Sequence, residues 1–182
     1  MFGGATICQA DKKHTKWLKS VAKCYTFADE SRRNPLQGST RNMANALYDL
    51  AKEALLSGSI NLASNDIRCV LVRKGDTGSS TVYAPNLVTD RFLSSVPAGS
   101  RVATSGALAS KTVALGVFDA ANVLFPAVAA GAAVNSIVIY KWVSADGDSP
   151  LIAYMDTAEG LPFTPVDEDL TLAWASGGIF SL

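Results

Sequence analysis

The chain has 182 residues, 48% of them hydrophobic and 18% charged, and its 16 basic and 16 acidic side chains leave a formal net charge of zero. That length suits one domain with an appendage, and that composition excludes a disordered chain while supplying enough apolar material for a core. The charge is uneven: residues 1–42 hold eight basic and three acidic side chains, net +5, whereas residues 43–182 hold eight and thirteen, net −5, so a basic arm suited to gripping an acidic surface, a neighbouring copy included, precedes an acidic body.

The first ten residues lack the basic start and apolar run of a signal peptide. Cys8, Cys24 and Cys69 form an odd set without a CxxC pair, which argues against a secreted disulfide framework and for synthesis in a reducing cytoplasm. Residues 13–25 have a helical period, with Trp17, Leu18, Val21, Ala22 and Tyr25 on one face and Lys12, Lys16, Lys19 and Lys23 mostly on the other. Residues 29–41 are polar, are broken by Pro35 and Gly38, and read as a linker. The clearest helix is predicted over 42–57, where Met43, Leu47, Leu50, Ala51, Ala54 and Leu55 recur at three- and four-residue spacing. Asn42 is its expected N-cap, Gly58 its C-terminal stop, and Asp49 and Glu53 pair with neighbours, Lys52 included, on the wet side.

Beyond Gly58 the pattern changes to strands. They are predicted over 67–73, 101–108, 111–118, 122–128, 136–143, 151–156, 170–174 and 178–182. A short edge segment is expected over 82–86, limited by Pro85, and one or two helical turns over 89–96, packing Phe92 and Leu93. Turn chemistry at Asp146-Gly147-Asp148, Gly160-Leu161-Pro162 and Gly177-Gly178 separates many of them. Residues 120–139 carry no charge and are about long enough to span a bilayer. Pro126 and Gly131 interrupt the run, which therefore reads as two buried strands joined by an Ala/Gly loop. Pro162 and Pro165 flank a connection expected to cross between sheets. About eight short strands without intervening helices predict a mainly β fold: an antiparallel β-sandwich or jelly roll, preceded by a helical arm and carrying one packed α-helix.

From residue 43 onward the order of short motifs resembles a family of small structural proteins of tailed bacteriophages and prophages. The motifs are MANALYD (43–49), KEA (52–54), DIRCVLV (66–72), DRFLSSVPAG (90–99), RVAT (101–104), GVFDA (116–120), IVIYK (137–141), PLIAYMD (150–156), GLP (160–162) and GIF (178–180). The resemblance implies a virion structural protein, similar in some members to capsid cement proteins with a jelly-roll fold. Two departures stand out. The family pattern starts near Met43, so residues 1–42 are either a special arm or the product of a start codon assigned too early. The loop before the penultimate strand is Val166-Asp167-Glu168-Asp169 where the family has an Asn-Gly-Gly-Asp type of turn.

Residues able to carry chemistry are sparse. His14 is the only histidine, and nothing near it supplies the setting of a Ser-His-Asp or Cys-His site. Cys8, His14, Cys24 and Cys69 lack the short paired spacing of zinc ligands. Asp146 and Asp148, or Asp167, Glu168 and Asp169, are read as solvated turns before calcium ligands. No GxxxxGK[ST] phosphate loop is present. The sequence therefore reads as non-enzymatic, with no cofactor or metal. Its partners are expected to be the major capsid protein and copies of itself in a virion made in the bacterial cytoplasm, with no membrane. The candidate partner-binding residues lie in the arm: Trp17, Leu18, Val21 and Tyr25 as anchors, and Lys16, Lys19, Lys23, Arg32 and Arg33 as the charges that steer it. Docking of this helix on a neighbouring subunit is preferred over nucleic-acid binding and over a membrane-surface role. Three function classes remain open: a capsid cement or decoration protein, a neck, head–tail connector or tail component, and a carbohydrate- or receptor-binding β-sandwich. The last should expose loop aromatics, whereas Phe118, Phe125, Tyr140, Trp142, Tyr154 and Trp174 lie in strand patterns and are expected mostly in the core.

Overall fold

The structure, a computed structural model, describes residues 5–9, 45–73, 83–131 and 133–182. The strands in chain order are β1 (Ala5–Gln9), β2 (Ala46–Leu47), β3 (Ile67–Val72), β4 (Arg101–Thr104), β5 (Thr112–Ala114), β6 (Val117–Asp119), β7 (Val123–Val128), β8 (Ser136–Lys141), β9 (Leu151–Met155), β10 (Glu168–Trp174) and β11 (Phe180–Ser181), with one helix, α1 (Asp49–Leu56). They form three antiparallel sheets, ordered β2-β9-β8-β3-β4, β1-β10-β7 and β11-β6-β5.

The five-stranded sheet is the centre of the core. Its inner strands read as near-continuous apolar runs, and Cys69, Val70, Leu71, Val72, Ile137, Val138, Ile139, Ile152 and Ala153 are all fully buried. Successive strand residues point to opposite faces, so burial of every residue means that both faces are covered. α1 packs on β9 and buries Ala51, with Ala54 and Leu55 half-buried beside it. Phe118, Phe125, Leu170, Leu172 and Phe180 from the two smaller sheets join the same continuous core. Truncating one of the central residues, such as Ile139→Ala, should cost about 2–5 kcal/mol.

The helix is shorter than its period predicts. Ala46 and Leu47 pair with Tyr154 and Ala153 as a strand, and Tyr48 N–H donates to Ile152 O at 3.0 Å. Free backbone groups at the edge of β9 outweigh a helical preference that is only a few tenths of a kcal/mol per residue. The N-cap is thus Tyr48, with no side-chain cap, and Asn42 lies outside the described residues. Gly58 does stop the helix: at φ +74° it takes the left-handed position, and its N–H donates to Leu55 O. Asp49 and Lys52 form the expected pair at 2.7 Å on the exposed side.

Two further expectations are corrected, and a third is met in its shorter form. Residues 83–86 are not an edge strand. Asn86 Oδ1 accepts from Val88 and Thr89 N–H, Asp90 Oδ2 accepts from Asn86 N–H, and these bonds close the turn at 87–89 into which the segment leads. Of the one or two helical turns expected over 89–96 the structure has one, the 3₁₀ turn Leu93–Ser95, which buries Leu93, while Phe92 is half-buried and bridges to Pro150. Arg101 fixes this turn. Its Nε and Nη2 donate to Val96 O at 3.0 and 2.7 Å, Nη2 also donates to Leu93 O, and Nη1 meets Asp146 Oδ2 at 2.6 Å. The single strand expected over 111–118 is a hairpin, β5 and β6, folded back at Leu115-Gly116.

Other expectations hold, the first of them in part. The uncharged run 120–139 contains two strands, β7 and the start of β8, in different sheets, but only β8 is buried, since Leu124, Pro126 and Ala127 of β7 are exposed; no helix among the described residues is long and apolar enough to cross a membrane. Pro126 sits in β7, an edge strand, where a missing N–H costs no ladder bond. The connection with Pro162 and Pro165 leads from β9 in the large sheet to β10 in another, and the Leu161–Pro162 peptide is cis. The helix expected over 13–25 lies outside the described residues. The segment read as an arm nevertheless contains β1, which pairs with β10 of the body.

Candidate interaction surface

The arm residues expected to bind a partner, Lys16, Trp17, Leu18, Lys19, Val21, Lys23, Tyr25, Arg32 and Arg33, lie outside the described residues. The body supplies a candidate that the strand pattern did not reveal: the β5–β6 hairpin. Thr112, Val113 and Ala114 face Asp119, Phe118 and Val117 in register, which leaves a two-residue turn of Leu115 and Gly116. Both central residues have positive φ, +50° and +79°, the requirement of a type I′ turn. That geometry matches the twist of the flanking strands, but its first position favours asparagine, aspartate or glycine. For an ordinary L-residue the left-handed region costs about 1–2 kcal/mol.

Leu115 is also completely exposed, at 103% of a reference leucine. Leu182, whose N–H donates to Gly116 O at 3.0 Å, is 68% exposed, and Val113, two residues back along β5, is 53% exposed. The hairpin itself is firmly rooted. Phe118 is buried and packs on Phe180 with ring centroids 5.4 Å apart, and Ile179 N–H donates to Phe118 O. Gly178, at φ +85°, passes so close to Val117 and Phe118 that a Cβ there would collide with Val117 Cγ1. An anchored hairpin thus carries apolar side chains outward on β5, the open edge of its sheet.

A second feature is a groove of about 460 Å³ between α1 and the β8–β9 connection. Leu50, Ala54, Ile60 and Phe92 supply its apolar lining, and Glu53, Asp148, Arg91 and Lys141 bring both signs of charge. Lys141 Nζ donates to Ser59 O, and the Arg91 guanidinium lies 5.0 Å from the Phe92 ring centroid. The nearby hydroxyls, Ser57 and Ser59, bond to each other at 2.9 Å.

The remaining polar groups are built into the fold. Cys69, a zinc candidate by residue type, is wholly buried in β3, and burial pushes its thiol up to about 12. Its backbone N–H donates to Ser105 Oγ. Tyr48 Oη and Tyr83 Oη are 2.6 Å apart, and Tyr83 in turn donates to Asp90 Oδ2. Burial raises both phenols well above their ordinary range. Asp146 accepts from Arg101 and Asp148 from Ser144, while Asp167 and Asp169 accept from Ala130 and Ala127 N–H. Asp148 thus holds its own loop, whereas Asp146 ties its turn to β4 and Asp167 and Asp169 tie theirs to β7 and the residues after it; among the described residues no three His, Cys, Asp or Glu side chains gather as a metal site. Phe118, Phe125, Tyr140 and Tyr154 are buried as expected, and Trp142 and Trp174 are half-buried against the core. Among the described residues no aromatic side chain is left exposed.

No protein-family profile matches the chain, and no curated protein is significantly similar to it.

Proposed function

We propose that this chain is a non-enzymatic structural protein of a tailed-phage particle, with a β-sandwich or jelly-roll body that decorates and cements the assembled shell. The observation that carries the reading is the hairpin tip. The fold holds a leucine in left-handed backbone, at a cost to the monomer, and presents its side chain in full solvent contact, where a covering surface would gain the free energy of burying it. The ordered resemblance from residue 43 to the end supplies the kind of surface, namely the major capsid protein and neighbouring copies. The arm residues Trp17, Leu18, Val21 and Tyr25 would add apolar anchors, and the +5 charge of residues 1–42 would steer them toward acidic surface.

Cementing is thermodynamic linkage. A protein that binds the closed shell but not its separated subunits shifts the equilibrium toward the shell. Each contact can be weak, because repetition over many sites makes the sum large. A rigid body with an extensively buried core and a protruding apolar hairpin meets that need. A carbohydrate-binding role is disfavoured, since such sites present aromatic faces to solvent and none is exposed among the described residues. The test is to add the purified protein to particles lacking it and follow their heat disruption. The disruption temperature should rise with occupancy and level off at saturation; an unchanged temperature at full occupancy would refute cementing.

A further inference from the structure

Strand β1 belongs to the far end of the chain from the elements around it. It pairs with β10 in an antiparallel ladder of five residues, Ala5 opposite Trp174 through Gln9 opposite Leu170. The other side of β10 is taken by β7, so β1 forms one edge of this sheet and, without it, the edge of β10 from Leu170 to Trp174 would stand open. An open edge is a template for strand addition. The two paired segments, ATICQ and LTLAW, carry no charge and no proline, so nothing in them discriminates between a strand from the same chain and one from another copy.

Thirty-six residues, 10–45, separate β1 from β2. A chain of that length can reach on the order of 100 Å when extended, more than the distance between touching domains of this size. The contacts made by β1 are identical whichever copy supplies it. The balance is therefore set by concentration: the effective concentration of a strand tethered through a long connection is low, and it falls further as the connection lengthens. From this we infer that β1 is an exchangeable strand, and that in a dense array the β10 edge of one copy receives β1 of a neighbour. This deepens the cementing reading, on which the dense array rests, by naming the docking edge and its occupant: a second copy of this chain.

A native residue makes the exchange measurable. Cys8 stands opposite Thr171 in the ladder. Facing Cα atoms in antiparallel strands are about 4.5 or 5.5 Å apart, both within disulfide reach. Thr171 is only half-buried, so Thr171→Cys in a Cys24→Ser background should leave the fold intact. Equal amounts of isotopically heavy and light chains of this variant are mixed under reducing conditions, then oxidised and digested. Heavy–light peptides that join Cys8 of one chain to position 171 of another should be scarce at high dilution. They should rise with concentration toward about half of all such links, the limit for random partners when tethering no longer dominates. The pair Thr6→Cys and Ala173→Cys, in a background also lacking Cys8, repeats the test two positions along the ladder.

A mixed-link share that stays at background across roughly a hundredfold rise in concentration would overturn exchange. So would the absence of any link in both variants, because β1 would then not occupy the β10 edge. Since the measurement uses free protein, its failure leaves the cementing reading to be judged by particle data alone.

Discussion

Replacing Leu115 with asparagine should separate folding from attachment. In the monomer, leucine at φ +50° costs about 1–2 kcal/mol, and asparagine tolerates this region far better. The substitution also removes an exposed apolar side chain without touching the core. Leu115→Asn should therefore stabilise the free protein by about 1 kcal/mol, which for a chain of this size raises Tm by roughly 2–4 °C. If the tip is covered on the particle, the variant loses the burial of a leucine side chain, about 1.5–3 kcal/mol. That corresponds to about tenfold to a hundredfold weaker binding per site. The assays are thermal unfolding by circular dichroism and cosedimentation with particles lacking the protein. Higher Tm with weaker binding is the expected pair. Unchanged binding would refute the hairpin as an interface, and a lower Tm would refute the strained-turn argument.

Other outcomes follow from the packing. Arg101→Lys should destabilise the body by about 1–3 kcal/mol in urea unfolding, because a single ammonium cannot replace the fork that serves Leu93 O, Val96 O and Asp146; a loss within error would contradict that role. Gly178→Ala combines a positive-φ penalty with a collision at Val117 and should detach β11 from β6, read as lost hydrogen-exchange protection at Ile179, while Gly147→Ala, with open space around its Cβ, should be nearly neutral. Burial raises Cys69 to about 12 and Tyr140 to about 12, with Tyr48 and Tyr83 raised as well. The folded state thus keeps protons that the unfolded chain releases, so the contribution of these groups is constant below about pH 8.5 and stability should fall above it, by about 1.4 kcal/mol per pH unit for each titrating group. Cys69→Ala should delay the onset of that fall by about 1.5 pH units, to where unfolded tyrosines titrate; an unshifted onset would show that the thiol does not contribute.

The elements legible in the sequence were those whose pattern is decided by burial. β3, β8 and β9 are runs of β-branched and apolar residues that fit only the middle of a sheet, and Gly58 marked the helix end through its backbone freedom. What stayed hidden depended on partners distant in sequence. MANALYD has a helical period, yet its Ala46 and Leu47 form a strand because the edge of β9 is free to accept them. The hairpin was concealed because Val113, Leu115 and Val117 alternate as a strand would. Its signal was the Leu115-Gly116 pair, a glycine at the second place of a two-residue turn, masked by a leucine where asparagine is usual. That leucine is also what makes the hairpin stand out, because it breaks the local rule for a two-residue turn. The arm, read from amphipathic spacing and charge, yields its described part as β1, a strand too short for its alternation to stand out.

The most direct test of the cementing role is the copy number of this protein in purified particles, measured by quantitative mass spectrometry against the major capsid protein. A ratio near one per capsid subunit, or a simple fraction such as one half or one third, is the predicted result. A count of about a dozen, as for a ring of cyclic symmetry at the neck or tail, would contradict it.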